Sequence, residues 1–177
     1  MNPTLTALFT ALDALEGRAT VEVLAELLSS CDIQIDDVAS HVRYSERAYT
    51  RIPLNTGEHY QAWVMCWRNG QRSPIHDHRG SSCAVRVMFG TLTETLFDFA
   101  PNGQVKATFS RDFLPGEVIT GGDGDMHQVS NLQAEEADLV TLHVYSPPLV
   151  NMGIYDLFSR KRTEEPMMQE FIDAAGI

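Results

Sequence analysis

Long apolar runs are missing from this sequence: none approaches the roughly 20 residues that a membrane-spanning helix needs. Its first residues, Met1-Asn2-Pro3-Thr4, lack the basic segment of a secretory signal, so a cytoplasmic protein is expected. Positive charge is scarce as well. Thirteen Lys and Arg face 24 Asp and Glu, a formal net charge of −11. A surface of that sign repels nucleic acid and anionic membranes, which excludes both as expected partners. An anion-binding site in such a chain must be built locally, from one particular arginine or lysine. The acidic residues are scattered and read as a solvated surface.

Cysteine is also sparse. Cys31, Cys66 and Cys83 are odd in number and widely spaced, which is no disulfide framework. No C-x-x-C pair suggests structural zinc. Cys31 and Cys66 lie in amphipathic or apolar surroundings and read as buried thiols. Neither repeats nor low-complexity linkers interrupt the 177 residues, a length that suits one sizeable core. A monomer or weak oligomer is expected.

What is present falls into two patterns. Residues 1–45 read as helical: Pro3 fits a first helical position, Leu5, Leu8, Leu12 and Leu15 recur at helical spacing, and Gly17 can end the helix. Thr20 can cap a second helix carrying Leu24, Leu27 and Leu28, and a weaker third covers residues 35–42. This segment is read as packing on the rest, without chemistry. Residues 46–160 read as short strands broken by turns, at 60–68, 83–89, 91–99, 105–113 and 139–145. Short, frequent strands predict an antiparallel barrel or sandwich, so the chain is expected to be mainly β. Residues 161–177 read as a polar tail of the same domain, with a short helix at 167–175.

The chemistry begins at Ser73-Pro74-Ile75-His76-Asp77-His78. Alternate side chains of a strand share a face, so His76 and His78 can reach one ion together. A lone His-x-His is weak, but here Gly70 precedes His76 by six positions and Gly90 follows Cys83 by seven. A third histidine, His127, stands 49 residues past His78, with Asn131 four beyond it.

This arrangement resembles the two motifs of cupins, whose fold is an antiparallel β-barrel of jelly-roll type. Gly70, His76, His78 and Gly90 match the first motif, and Gly124, His127 and Asn131 match the second. Two departures stand out: Cys83 occupies the position of the usual glutamate ligand, and Gly122 that of a proline. Without the glutamate, three neutral imidazoles would hold the metal and leave it open to a chelating substrate and O2. Imidazole alone suits iron, zinc, copper or nickel. A thiolate ligand at Cys83, closing a zinc-type site, is the alternative.

Residues 73–78, Cys83, residues 87–97, residues 142–148 and Tyr49-Thr50-Arg51 together resemble the thiol dioxygenases, cysteine dioxygenase in particular. The resemblance implies Fe(II) at His76, His78 and His127. It implies that Arg51 holds the substrate carboxylate, with Tyr49 beside it. Cys83 and Tyr145 match a pair that forms a thioether crosslink in animal enzymes, His143 a residue that hydrogen-bonds the tyrosine, and Trp67 a packing residue near the site. The Ser146–Pro147 bond is expected to be cis. Thr141 and Met152 depart from the animal pattern, which has serine and a second cysteine there. The partners implied are a small thiol and O2, with L-cysteine oxidised to its sulfinic acid. A 3-mercaptopropionate dioxygenase is the alternative within the family, and a non-enzymatic metal-binding sensor the alternative outside it.

Overall fold

The computed structural model describes residues 2–134, 137–159 and 162–166. The helix expected at 167–175 lies outside the described residues. Helix α1 (Pro3–Asp13) starts where Asn2 accepts a hydrogen bond from the Thr4 amide at 2.8 Å and Pro3 opens the first turn. Its leucine spacing buries Leu5, Leu8 and Leu12 along one stripe, with Phe9 beside them. Helix α2 (Val21–Ser30) is capped by Thr20 and buries Leu24 and Leu28. Burial of each such leucine contributes about 1.5–3 kcal/mol relative to exposure. The third helical segment, Ile35–His41, is a 3₁₀ helix rather than an α-helix, closed at its start by reciprocal bonds between Gln34 and Asp37. Only Val38 on it is buried, too little apolar surface to hold a longer helix. Cys31, expected to be buried, is half-buried at the end of α2.

Among the described residues eleven strands follow: β1 (Thr50–Thr56), β2 (Gln61–Trp67), β3 (Ile75–Asp77), β4 (Ser82–Phe89), β5 (Leu92–Phe99), β6 (Val105–Phe113), β7 (Val118–Gly121), β8 (Met126–Ser130), β9 (Leu139–Ser146), β10 (Asn151–Tyr155) and β11 (Arg162–Pro166). They form two antiparallel sheets, ordered β1-β2-β9-β4-β7 and β11-β10-β3-β8-β5-β6. The protein is mainly β, as expected, but the strands do not close into a barrel. Among the described residues no ladder joins an edge of one sheet to an edge of the other, and only an isolated bridge, Arg72 to Ser130, lies outside the strands. Two sheets facing each other bury their inner faces without any edge-to-edge bonding. The polar stretch read as a tail begins with β11, which gives no alternation signal because all five of its residues are exposed.

The central strands β2 and β9 are buried along their whole length. Alternation explains why. Val140, Leu142 and Val144 of β9 pack with α1 and α2 in one core. Tyr145 faces the other way, into a second core between the sheets, with Trp63, Met65, Trp67 and Cys83. Helices on the outside thus free the inner face of β9 for polar residues. The Ser146–Pro147 peptide is cis, as expected. No helix among the described residues is long and apolar enough to cross a membrane.

Candidate metal centre and its cavity

His76 lies on β3, His78 one residue past its end, and His127 on β8. Strand pairing sets His76 directly opposite His127. The three histidines are buried, and their ligand atoms lie within 4.8 Å of one another. His127 Nε2 is 3.2 Å from His78 Nε2. That is the separation of two nitrogens held by one ion at roughly 2.1 Å each.

The outer nitrogens decide which atoms face the centre. His76 Nδ1 donates to the Pro74 carbonyl at 3.0 Å, and His127 Nδ1 donates to Glu94 Oε1 at 2.8 Å. Both rings therefore keep an Nε2 lone pair directed inward. Burial, and then the neighbouring His127, hold His76 and His78 well below the ordinary imidazole range. Neutral imidazole is the form that binds a metal, so the donor set fits a divalent ion. A side chain at Gly121 would crowd this arrangement: its Cβ would stand 3.2 Å from the His78 ring.

The triad opens into a narrow buried cavity, about 10 Å³ in volume, also lined by Tyr49, Arg51, Met65, Trp67, Ser73, Val129, His143, Tyr145 and Met152. Arg51 is only 6% exposed, and its guanidinium donates to the Tyr49 hydroxyl. Its Nε has no partner, and no residue lining the cavity is acidic. A buried arginine with no carboxylate beside it is a ready anion receptor. Tyr49 stacks on Trp67, ring centroids 4.1 Å apart, which holds the phenol in place.

A polar chain continues across the same sheet, from β2 to β9. Trp67 Nε1 donates to Thr141 Oγ1 at 3.0 Å, Thr141 Oγ1 lies 2.9 Å from His143 Nε2, and His143 Nδ1 lies 3.3 Å from the Tyr145 hydroxyl. Thr141, His143 and Tyr145 alternate on one face of β9, which is why they meet. Burial lowers His143 to about 3, so it is neutral. Cys83 on β4 stands directly opposite Tyr145 on β9, and both pack in the core between the sheets. Burial pushes the Cys83 thiol up, and burial together with Cys83 pushes the Tyr145 phenol well above its ordinary value. Both stay protonated at neutral pH. The Tyr145 ring is 5.5 Å from that of His78, at the edge of the triad.

All eight residues singled out in the sequence therefore meet around one cavity: Tyr49, Arg51, His76, His78, His127, His143 and Tyr145 line it, and Cys83 backs Tyr145. Sequence reasoning missed two contributors, Glu94 and Gly121. Glu94 had a signal: it sits in phase with the buried Leu92 of β5, and a carboxylate on an apolar face requires a partner. Gly121 had none, because its partner lies 43 residues away in the chain.

A double antiparallel sheet that gathers three buried histidines around a small cavity is a metal-binding protein of the cupin kind. The family model for cysteine dioxygenase type I matches residues 3–158, and the chain belongs to that family. It is 27% identical over 155 residues to cysteine dioxygenase type 1 of Rattus norvegicus, covering 77% of this chain and 76% of the relative. The human enzyme of the same name is 29% identical over 141 residues, covering 77% and 70%. Among solved structures, TT1209 from Thermus thermophilus has a TM-score of 0.54 at 21% identity, covering 66% of this chain and 99% of that one. A Klebsiella pneumoniae protein with a double-stranded β-helix domain has a TM-score of 0.57 at 16% identity, covering 67% and 88%. At such identities the structures speak for the fold alone.

Proposed function

We propose that this chain is an Fe(II)-dependent dioxygenase that converts L-cysteine and O2 into cysteine sulfinic acid. The observation that carries the choice of a carboxylate-bearing thiol is the Arg51 guanidinium, buried without a carboxylate partner in the same cavity as the triad. Such a group stabilises a ligand carboxylate through charge-assisted bonds worth about 1.5–3 kcal/mol each. The family to which the chain belongs supports the same chemistry.

His76, His78 and His127 would hold the ion. Bound there, Fe(II) supplies Lewis acidity toward a thiol and the redox chemistry that O2 requires. The protein's own residues do the rest. Arg51 and Tyr49 fix the carboxylate end of the substrate, which orients its amine and thiol toward the triad. Met65, Val129 and Met152 keep the cavity small and exclude water. The Tyr145 phenol, protonated and oriented by His143, donates a hydrogen bond at the edge of the triad. The stoichiometry closes without another reductant: a thiol gains both oxygen atoms of O2 and leaves as the sulfinic acid. A cytoplasmic location and a monomeric or weakly associating state belong to the same reading.

Oxygen consumption with L-cysteine, 3-mercaptopropionate and cysteamine, with the sulfinate identified by mass, tests it. L-Cysteine is expected to be the best substrate, and cysteamine, lacking the carboxylate, a poor one. Preference for 3-mercaptopropionate would overturn the substrate. A protein inert toward every thiol after loading with Fe(II) would leave a metal-binding module without this activity.

A further inference from the structure

We propose that Asp77, between the two metal-binding histidines of β3, is a positioning residue that ties them to the C-terminal hairpin β10–β11. The inference rests on the metal-site reading above and extends it to the face of β3 turned away from the cavity, where the hairpin holds Asp77.

Alternation sends the Asp77 side chain to the face of β3 opposite His76 and His78. There it is buried, only 2% exposed, and surrounded by partners from the hairpin. The Gly153 amide donates to it at 3.0 Å, the Tyr155 hydroxyl at 2.6 Å and the Arg162 guanidinium at 2.7 Å. Strand pairing sets Gly153 directly opposite Asp77. Only glycine fits at that position, since a Cβ would lie 2.6 Å from the carboxylate.

The residue on the far side of His78 is held by the same strand. Arg79 adopts a left-handed backbone with φ of 44°, uncommon for a residue other than glycine. Its guanidinium pairs with Glu164 of β11 at 2.5 Å and with Asp77 at 3.4 Å. His78 is thus bracketed by Asp77 and Arg79, and both are gripped by β11, through Arg162 and Glu164. Strand β3 itself is only three residues long, and a short ladder leaves its register to such side-chain ties. A histidine that lies beyond the end of so short a strand is oriented by these flanking ion pairs.

The test uses Co(II) as a metal probe on the purified full chain, titrated by its visible absorption, with folding of each metal-free variant verified by circular dichroism. Arg162→Gln removes one tie from a partly exposed position, and Asp77→Asn removes the charge at constant shape. Each is expected to weaken Co(II) binding about tenfold, the low end of what groups supporting metal ligands contribute. The absorption band should shift as His78 loses its orientation, and Arg162→Lys should restore much of the affinity. Folded Arg162→Gln protein with wild-type affinity and spectrum overturns the proposal, and so decides the matter if Asp77→Asn does not fold. Wild-type protein that takes up no Co(II) overturns the metal site itself, a separate failure.

Discussion

Glu94 Oε1 accepts a hydrogen bond from Nδ1 of His127 at 2.8 Å, in a position where both residues are almost fully buried. A carboxylate is thus near the triad without facing it. It fixes the tautomer and ring plane of one ligand, while the Cys83 position, glutamate in other cupins, is paired with Tyr145 instead. Replacing Glu94 by Gln should therefore weaken metal binding by about 10- to 100-fold. Isothermal titration with Fe(II) under anaerobic conditions measures it, and an unchanged affinity would show that the contact is idle.

Arg51→Gln keeps a polar side chain but removes the charge that faces the cavity. With L-cysteine, kcat/KM should fall by about 10- to 100-fold, matching the loss of one or two charge-assisted bonds of about 1.5 kcal/mol each. Cysteamine has no carboxylate to lose, so its rate should hardly change. An equal loss for both thiols would place Arg51 in the structure of the cavity and not in substrate recognition.

Cys83 and Tyr145 are directly paired across β4 and β9, and both are buried. After turnover with thiol and O2, intact mass is expected to fall by the mass of two hydrogens as a thioether forms. Cys83→Ser and Tyr145→Phe should each abolish that change. A mass loss that persists in Cys83→Ser would mean oxidation elsewhere.

His143 is buried and neutral, its imidazole lowered to about 3 by desolvation first and by His127 and Arg51 after that. A histidine whose folded value is depressed contributes stability that is complete above its unfolded value, near 6.5, and is lost as pH falls toward 3. Metal-free protein should therefore lose stability through that window. His143→Gln, though less stable at pH 7, should lose less on acidification. Chemical denaturation at pH 7.5, 6, 5 and 4 reads the difference, and parallel slopes for the two proteins would refute it.

Gly121→Ala would put a methyl group 3.2 Å from the His78 ring, closer than most such contacts. The expected result is weaker metal binding with little change in the melting temperature of the metal-free protein. A lower melting temperature with normal metal affinity would place the strain elsewhere.

Much of this was legible in the chain itself. Alternation in 139–146 and leucine spacing in the first 30 residues are local patterns, set by the pitch of strand and helix, and each formed the element it announced. The histidines, Arg51, Cys83 and Tyr145 stood out because polar and metal-binding groups occupied positions in otherwise apolar strands. Strand β11 was read as a polar tail, since its pairing with β10 is carried by backbone bonds that leave no mark on residue type. Closure into a barrel was expected and did not occur, because strand count and alternation are the same for a barrel and for two facing sheets.

By itself, the sequence determined which groups could bind a metal and which faces had to be buried, since both follow from residue type and short-range spacing. Only the tertiary structure decided who stands beside whom. It set Glu94 behind His127, Gly121 under His78 and β11 against Asp77. These contacts join residues tens of positions apart, and their geometry depends on how the two sheets register and pack, which no local pattern encodes.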